Sequence, residues 1–311
     1  MGSSDFFDLQ VNGYAGVDFN ADDLRLESLH LAAQRLRADG VAGMLATVIT
    51  ADLDAMVRRL RRLVELRKQD PLLRDLIVGI HIEGPFINSA HGYVGAHPPD
   101  CVLPAETGAM QRLLDAADGL AKLVTLAPEC DANFATTSRL VRQGVVVSAG
   151  HTDAPLDTLR GAIDAGLTMC THLGNGCPVV LARHDNIIQR VLALADRLWV
   201  MFIADGAHIP FFALQNYLRI VGIERSIVVT DAISAAGMGP GRFTIGSVVA
   251  DVGEDLVPRN PHDPRQFAGS ALTMPRAAEN LRQNLGLNAR DIARLCSANP
   301  NQALAQGAAG C

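Results

Sequence analysis

Nothing in this 311-residue chain reads as a device for entering a membrane, for oxidative cross-linking or for gripping a polyanion. No apolar run approaches the ~18 residues of a bilayer span, and Met1-Gly2-Ser3-Ser4-Asp5 lacks the basic and then apolar stretches of a signal peptide. The six cysteines, Cys101, Cys130, Cys170, Cys177, Cys296 and Cys311, form no CxxC pair and no framework spacing. Reduced thiols are expected, in a soluble, unprocessed cytoplasmic protein. The net charge of −6 carries no basic excess, which argues against a nucleic-acid partner. A small anionic substrate, which needs only one or two local cations, stays compatible with it. There is no internal repeat, low-complexity tract or interdomain linker. At 49% hydrophobic and 19% charged, the chain can bury a full core, and its length suits one large α/β barrel as well as two ordinary domains.

What the chain does contain is a set of short apolar runs that end in chemistry. Cys170-Thr171-His172-Leu173-Gly174-Asn175 puts an imidazole where a strand gives way to a loop, and Val145-Val146-Val147-Ser148-Ala149-Gly150-His151 repeats that grammar. Ile77-Val78-Gly79-Ile80-His81-Ile82-Glu83 ends in a carboxylate, as does Ile227-Val228-Val229-Thr230-Asp231. In a parallel sheet the carboxyl ends of strands share one rim, so Glu83, His151, His172 and Asp231 are expected to converge. Glu83, His151 and His172 make a three-ligand set for a catalytic divalent metal with one position left for water. Zinc is the first expectation, with iron, cobalt or manganese as alternatives.

Runs at 6–13, 43–50, 77–83, 123–129, 145–151, 167–173, 198–204 and 226–231 alternate with helical patterns at 22–37, 52–68, 105–117, 134–143, 155–165, 187–195 and 210–221. Eight strands alternating with helices predict an α/β fold, a (β/α)8 TIM-type barrel, as a single domain over residues 1–311. Residues 238–268 break the rhythm, and a hairpin is expected around 243–252; helices at 274–284 and 289–305 follow. Arg58, Arg59, Arg61, Arg62, Arg67 and Lys68 read as the solvated face of a helix whose buried stripe is Met56, Leu60, Leu63 and Val64. The loop 84–104, with His91 and His97, is long enough to be functional. His81 shares a strand face with Glu83, so it is expected below the site in the barrel interior, either structural or supporting the ligands from behind. Glu129 either orients a ligand or closes a turn, and Cys177 is read as packing.

A metal at Glu83, His151 and His172 would bring bound water towards a neutral pKa. Asp231 is then the candidate general base and acid, and His208 the donor to a carbonyl oxygen that becomes anionic. Chemistry of this form hydrolyses amides or esters.

The ordered set Asp8-Leu9-Gln10-Val11-Asn12-Gly13, His81-Ile82-Glu83-Gly84-Pro85-Phe86, Ala127-Pro128-Glu129, Ala149-Gly150-His151-Thr152, Thr171-His172-Leu173-x-Asn175, Ala204-Asp205-Gly206-x-His208, Thr230-Asp231-Ala232 and Ala268-Gly269-Ser270-Ala271-Leu272 resembles the N-acetylglucosamine-6-phosphate deacetylase family of the amidohydrolase superfamily. The resemblance implies a metal-dependent barrel enzyme that removes acetate from a 6-phosphorylated 2-acetamido sugar. It implies Glu83, His151 and His172 as metal ligands, Asp231 as base and acid, and His208 as the residue that polarises the acetyl carbonyl. It places Asn175 and Gly176 at the sugar phosphate, Gln10 and His97 against substrate, and Arg183 at the phosphate of a partner subunit in a homodimer.

Gln10-Val11-Asn12 stands where the superfamily usually has His-x-His, so one metal is expected, not two. Gly174 replaces an aromatic and Gly176-Cys177 an Ala-Met pair, changes that bear on sugar and phosphate specificity more than on hydrolysis. The family's accessory β-sandwich is expected to be missing, which reads as a minimal enzyme. Two alternatives stand beside this reading: the same mechanism on an unphosphorylated N-acetyl sugar or another amide, and a non-catalytic barrel.

Overall fold

The apolar runs become strands because both faces of each are covered, one by the barrel interior and one by helices. In the computed structural model, which describes residues 5–308, the strands are β1 (Phe6–Val11), β2 (Val41–Ile49), β3 (Ile77–Glu83), β4 (Ala121–Leu126), β5 (Val146–Ala149), β6 (Met169–Cys170), β7 (Trp199–Ile203) and β8 (Ser226–Val229). They form one eight-stranded sheet in sequence order with every pairing parallel, the expected TIM-type barrel. Helices α1 (Leu26–Ala38), α2 (Leu53–Gln69), α3 (Pro71–Leu76), α4 (Thr107–Ala117), α5 (Ala135–Arg142), α6 (Leu156–Asp164), α7 (Ile187–Leu192) and α8 (Phe211–Val221) wrap it, and α9 (Met274–Leu285), α10 (Ala289–Ala293) and α11 (Asn299–Ala308) end the described chain. None of these helices is long and apolar enough to cross a membrane.

The second helix is anchored at Asp52, whose side chain accepts from the N–H groups of Asp54 and Ala55 at 3.1 and 3.2 Å. Its buried stripe is the expected one, Met56, Leu60, Leu63 and Val64. Arg59 departs from the solvated face: it is buried and pairs with Asp22 at 2.8 Å.

The seam between β8 and β1 is closed by side chains more than by a ladder. Asp8 accepts from the Thr230 N–H at 3.2 Å, the Thr230 hydroxyl at 2.6 Å and the Gln10 N–H at 3.2 Å. Burial pushes the Asp8 carboxyl up to about 7, against the pull of those three donated bonds. A carboxyl raised on folding holds its proton more tightly in the native state, so its contribution falls as pH rises from about 4 to about 7 and is flat above. The Asp8→Asn variant is expected to shrink the loss of unfolding free energy between pH 5 and pH 8 by about 2–3 kcal/mol. Denaturant titrations of metal-free protein at the two pH values measure this, and an unchanged difference would refute it.

Residues 238–268 hold more than a hairpin. Strands β9 (Gly241–Ile245), β10 (Val248–Val252), β11 (Pro258–Asn260) and β12 (Asp263–Phe267) form a four-stranded antiparallel sheet. It has its own small core of Ile233, Ala235, Ile245, Ala250, Val252, Ala268 and Ala271, which meets the barrel at Ile49, the last residue of β2. Among the described residues, the other β structure outside the barrel is a ribbon of Gly13–Tyr14 and Val17–Asp18.

Candidate active site

Glu83 is the last residue of β3, and His151, His172 and Asp231 each stand two residues beyond β5, β6 and β8. The last three share a backbone feature: φ is +51° at His151, +29° at His172 and +51° at Asp231. Left-handed backbone at non-glycine residues is uncommon and gathers at functional sites; here it turns each side chain inward over the rim.

The four side chains converge as expected, and Glu83 is the hub. His172 Nε2 lies 2.9 Å and His151 Nε2 3.3 Å from Glu83 Oε1. His97 Nε2 comes within 3.3 Å of His151 Nε2. The ligand atoms of Glu83, His97 and His151 all lie within 4.8 Å of one another. This trio differs from the expected Glu83, His151 and His172 by bringing in His97 from the loop after β3, with His172 held directly on the carboxylate. Burial raises Glu83, but bonds to His151 and His172 outweigh it and hold the carboxyl well below the usual range. Burial drives His97 down to about 3, so its ring is neutral.

These donors fit a cation. His151 Nδ1 faces the Tyr93 carbonyl oxygen at 2.8 Å and must carry the proton there, which leaves Nε2 turned to Glu83 Oε1 at 3.3 Å and His97 Nε2 at 3.3 Å. A cation set among these atoms would be held by two imidazole nitrogens and a carboxylate. His97 Nδ1, His172 Nδ1 and Asn12 Oδ1 are also buried without a hydrogen-bond partner.

A cavity of about 800 Å³ opens above this floor, lined by Glu83, His97, His151, His172, His208 and Asp231 among others. Burial, and next the charge of Glu83, push Asp231 up to about 6, against the opposing pull of His172, His208 and the 2.8 Å bond from Asn12 Nδ2. His208 Nδ1 is 2.6 Å from Asp205 Oδ2, and its ring meets Phe267 edge-on at 4.8 Å. Burial raises Asp205, but His208 and two backbone N–H groups outweigh it and hold the carboxyl below its usual range.

The remaining expected site residues divide. Asn175 and Gly176 line the cavity. Asn175 turns its amide back to the His172 carbonyl at 3.1 Å, and a Cβ at Gly176 would stand 2.7 Å from His151 Nδ1, so only glycine fits against that ring. Gln10 is a correction: fully buried, it donates from Nε2 to both Glu83 oxygens at 3.1 Å and orients the carboxylate, with no face on the cavity. Arg183 is exposed and lies outside the cavity lining of its own chain. His81 is structural, bonded to Thr125 at 2.7 Å in the barrel interior. Glu129 accepts from Asn88 Nδ2 at 2.9 Å, the Asp153 N–H at 2.7 Å and the Thr152 hydroxyl, so it ties the loop after β3 to the one that carries His151.

No protein-family model matches the chain. It is 30% identical over 297 residues to N-acetylglucosamine-6-phosphate deacetylase of Bacillus subtilis (strain 168), covering 94% of this chain and 72% of the relative. The chain belongs to the N-acetylglucosamine-6-phosphate deacetylase family. The chain is also 34% identical over 299 residues to N-acetylgalactosamine-6-phosphate deacetylase of Shewanella sp. (strain ANA-3), covering 95% of this chain and 72% of the relative. The chain superposes with a TM-score of 0.87 on a variant of N-acetyl-D-glucosamine-6-phosphate deacetylase from Mycobacterium smegmatis in complex with N-acetyl-D-glucosamine-6-phosphate, at 31% identity over 97% of this chain and 77% of that one. The enzyme from Thermotoga maritima gives a TM-score of 0.84 at 28% identity over 99% of this chain and 80% of its own.

Proposed function

We propose that the chain hydrolyses the acetamide of N-acetylglucosamine 6-phosphate to glucosamine 6-phosphate and acetate. The observation that carries this reading is the buried Glu83, His97, His151 and His172 floor with Asp231 and His208 facing the same cavity. Glu83, His151 and His172, with His97 beside them, would hold one divalent cation, zinc first and iron, cobalt or manganese as alternatives. When bound, such an ion supplies Lewis acidity to a water and to the amide carbonyl.

The chain's own residues do the rest. Asp231, with its carboxyl raised towards neutrality, takes a proton from the attacking water and returns it to the departing amine. His208, aligned by Asp205, donates to the carbonyl oxygen as negative charge gathers on it. Gln10 fixes the Glu83 carboxylate, and Tyr93 fixes the His151 tautomer. Asn175 and Gly176 line the side of the cavity where this reading puts the sugar phosphate. Arg183 would act at the phosphate only from a second copy, so a cytoplasmic homodimer is the assembly in which it has that role.

A second reading, the same hydrolysis of an unphosphorylated N-acetyl sugar, is favoured by the apolar lip of Val179 and Val180, each 86% exposed, on the loop with the Gly174 and Cys177 departures. Acetate release from N-acetylglucosamine 6-phosphate, beside unphosphorylated N-acetylglucosamine, separates the two on protein of assayed metal content. We expect release from the phosphorylated sugar, abolished by chelation and restored by metal; no release from either sugar by loaded protein would end the proposal. Glu83→Gln should weaken metal retention at least about tenfold, read by metal analysis after dialysis, because a neutral amide replaces the hub of the site.

A further inference from the structure

The floor of the cavity rests on a second polar layer that the proposed reaction does not use. His81 of β3, Thr125 of β4, Ser148 of β5 and Thr171, the residue after β6, are all buried in the barrel interior. Ser148 Oγ and Thr171 Oγ1, Thr171 Oγ1 and Thr125 Oγ1, and Thr125 Oγ1 and His81 Nε2 each stand 2.7 Å apart. Burial drives His81 down to about 4, so its ring is neutral and carries one proton. The Leu9 carbonyl of β1 pulls on that proton, although Nδ1 makes no bond of ordinary geometry, and Nε2 is left to accept. Every hydroxyl then donates once: Ser148 to Thr171, Thr171 to Thr125 and Thr125 to His81. The opposite polarity would strand the Ser148 proton, which has no other acceptor among the described residues.

This chain of bonds runs directly behind the residues that carry the metal ligands. Thr171 precedes His172, His81 lies two residues before Glu83 on the same strand face, and Thr125 is in register with both Glu83 and Ser148. Gly150 precedes His151, and a Cβ there would stand 2.6 Å from Thr125 Cγ2 and 3.0 Å from Thr171 Cβ. The same two threonines therefore sit against the backbone before both imidazoles. Main-chain pairing is thinnest here: the ladder between β5 and β6 joins only Ser148 with Met169 and Ala149 with Cys170, and His172 stands beyond it with φ of +29°. Where the ladder ends, side-chain hydroxyls hold the strands together.

We infer that Thr125 and Thr171 are positioning residues for the metal site: the hydroxyl chain from Ser148 to His81 sets the spacing of Glu83, His151 and His172, and with it the affinity for the cation. The inference rests on the metal reading of those three residues and is indifferent to the sugar. Hydrogen bonds that all run one way polarise one another, so a break at any hydroxyl loosens the whole chain.

Titration of metal-free protein with cobalt(II) against a competing chelator, read by the visible absorption of the bound ion, tests this. Thr171→Val and Thr125→Val each keep the branched shape and remove a hydroxyl. Each should weaken cobalt binding about tenfold or more and alter the position or intensity of the visible bands. Thr171→Ser keeps the hydroxyl and gives up the methyl group, so it should bind within about threefold of the unaltered protein and show its spectrum. Thr125→Val with Thr171→Val should lose much less than the product of the two single losses, since either break already opens the chain. Ser148→Ala removes a hydroxyl and adds nothing, and it gives the same reading if a valine variant does not fold. Denaturant midpoints of the metal-free proteins separate positioning from stability alone. Valine variants that lose stability but keep the spectrum, and an affinity within about twofold of the unaltered protein, overturn the inference. So does a Thr171→Ser variant as weak as Thr171→Val, or an unaltered chain that takes up no cobalt. Acetate release on the same samples reports separately on the reaction: protein that binds cobalt in the expected order of variants but releases no acetate keeps this inference and loses the proposed activity.

Discussion

Asp231→Asn is expected to lower kcat by roughly 10³–10⁴ while metal content stays at the level of the unaltered protein. The amide keeps the shape of the carboxylate and an oxygen for the 2.8 Å bond from Asn12 Nδ2, but it cannot take a proton and give it back. Asparagine also tolerates the left-handed backbone at this position, where φ is +51°. The variant should therefore fold normally, which separates a chemical loss from a structural one. Steady-state rates beside metal analysis decide it, and activity within tenfold of the unaltered protein would remove Asp231 from the reaction.

Gly84→Ala should produce the largest loss of stability from a single added methyl group. Gly84 has φ of +81°, and an added Cβ would sit 2.0 Å from Thr50 Oγ1 and 3.3 Å from Thr50 Cβ. That hydroxyl donates to the Glu83 carbonyl at 3.1 Å, so the clash falls on the backbone of the site's hub. Overpacking and left-handed strain together are expected to cost about 3 kcal/mol or more, with weakened metal retention. The double variant Thr50→Ala with Gly84→Ala removes the clash with the hydroxyl, keeps the tight approach to Cβ, gives up the hydroxyl's bond to the Glu83 carbonyl and retains about 1–2 kcal/mol of backbone strain. Denaturant midpoints for the three proteins measure both parts, and a double variant no more stable than the single one would refute the steric account.

The barrel and its rim were legible because one signal served both. Each apolar run carries a ligating residue at its end, and a parallel sheet puts all such ends together. Strand lengths were less so: the run at 167–173 yields only Met169–Cys170, because Thr171 and His172 already leave the ladder to turn the imidazole inward. Helix α3 went unread although its start is written in the sequence. Asp70 caps it with bonds to the N–H groups of Leu72 and Leu73 at 2.7 and 3.3 Å, and Pro71 opens it. His97 could not be placed in advance, since the loop 84–104 has no periodicity. Long-range contacts set its position, among them Asn88 N–H to the His151 carbonyl at 2.9 Å. Motif position points to Gln10 as a substrate contact but says nothing of the direction an amide faces inside a barrel. The inserted sheet was only half visible: Pro258 and Pro264 interrupt its later strands and hide the alternation that marks its first two.

The inserted sheet leaves and rejoins the barrel at a single point. Ser270 N–H donates to the Asp231 carbonyl at 2.9 Å, Ile233 N–H donates to the Ser270 carbonyl at 2.9 Å, and the Ser270 hydroxyl reaches the Thr230 carbonyl. The chain therefore departs after Asp231 and returns beside it, stitched across the base of the detour. Such a detour can be lengthened, shortened or rewritten between generations while the proton-handling carboxylate stays where it is. Descent with change can act on what the enzyme admits and leave what it does to the guest unaltered.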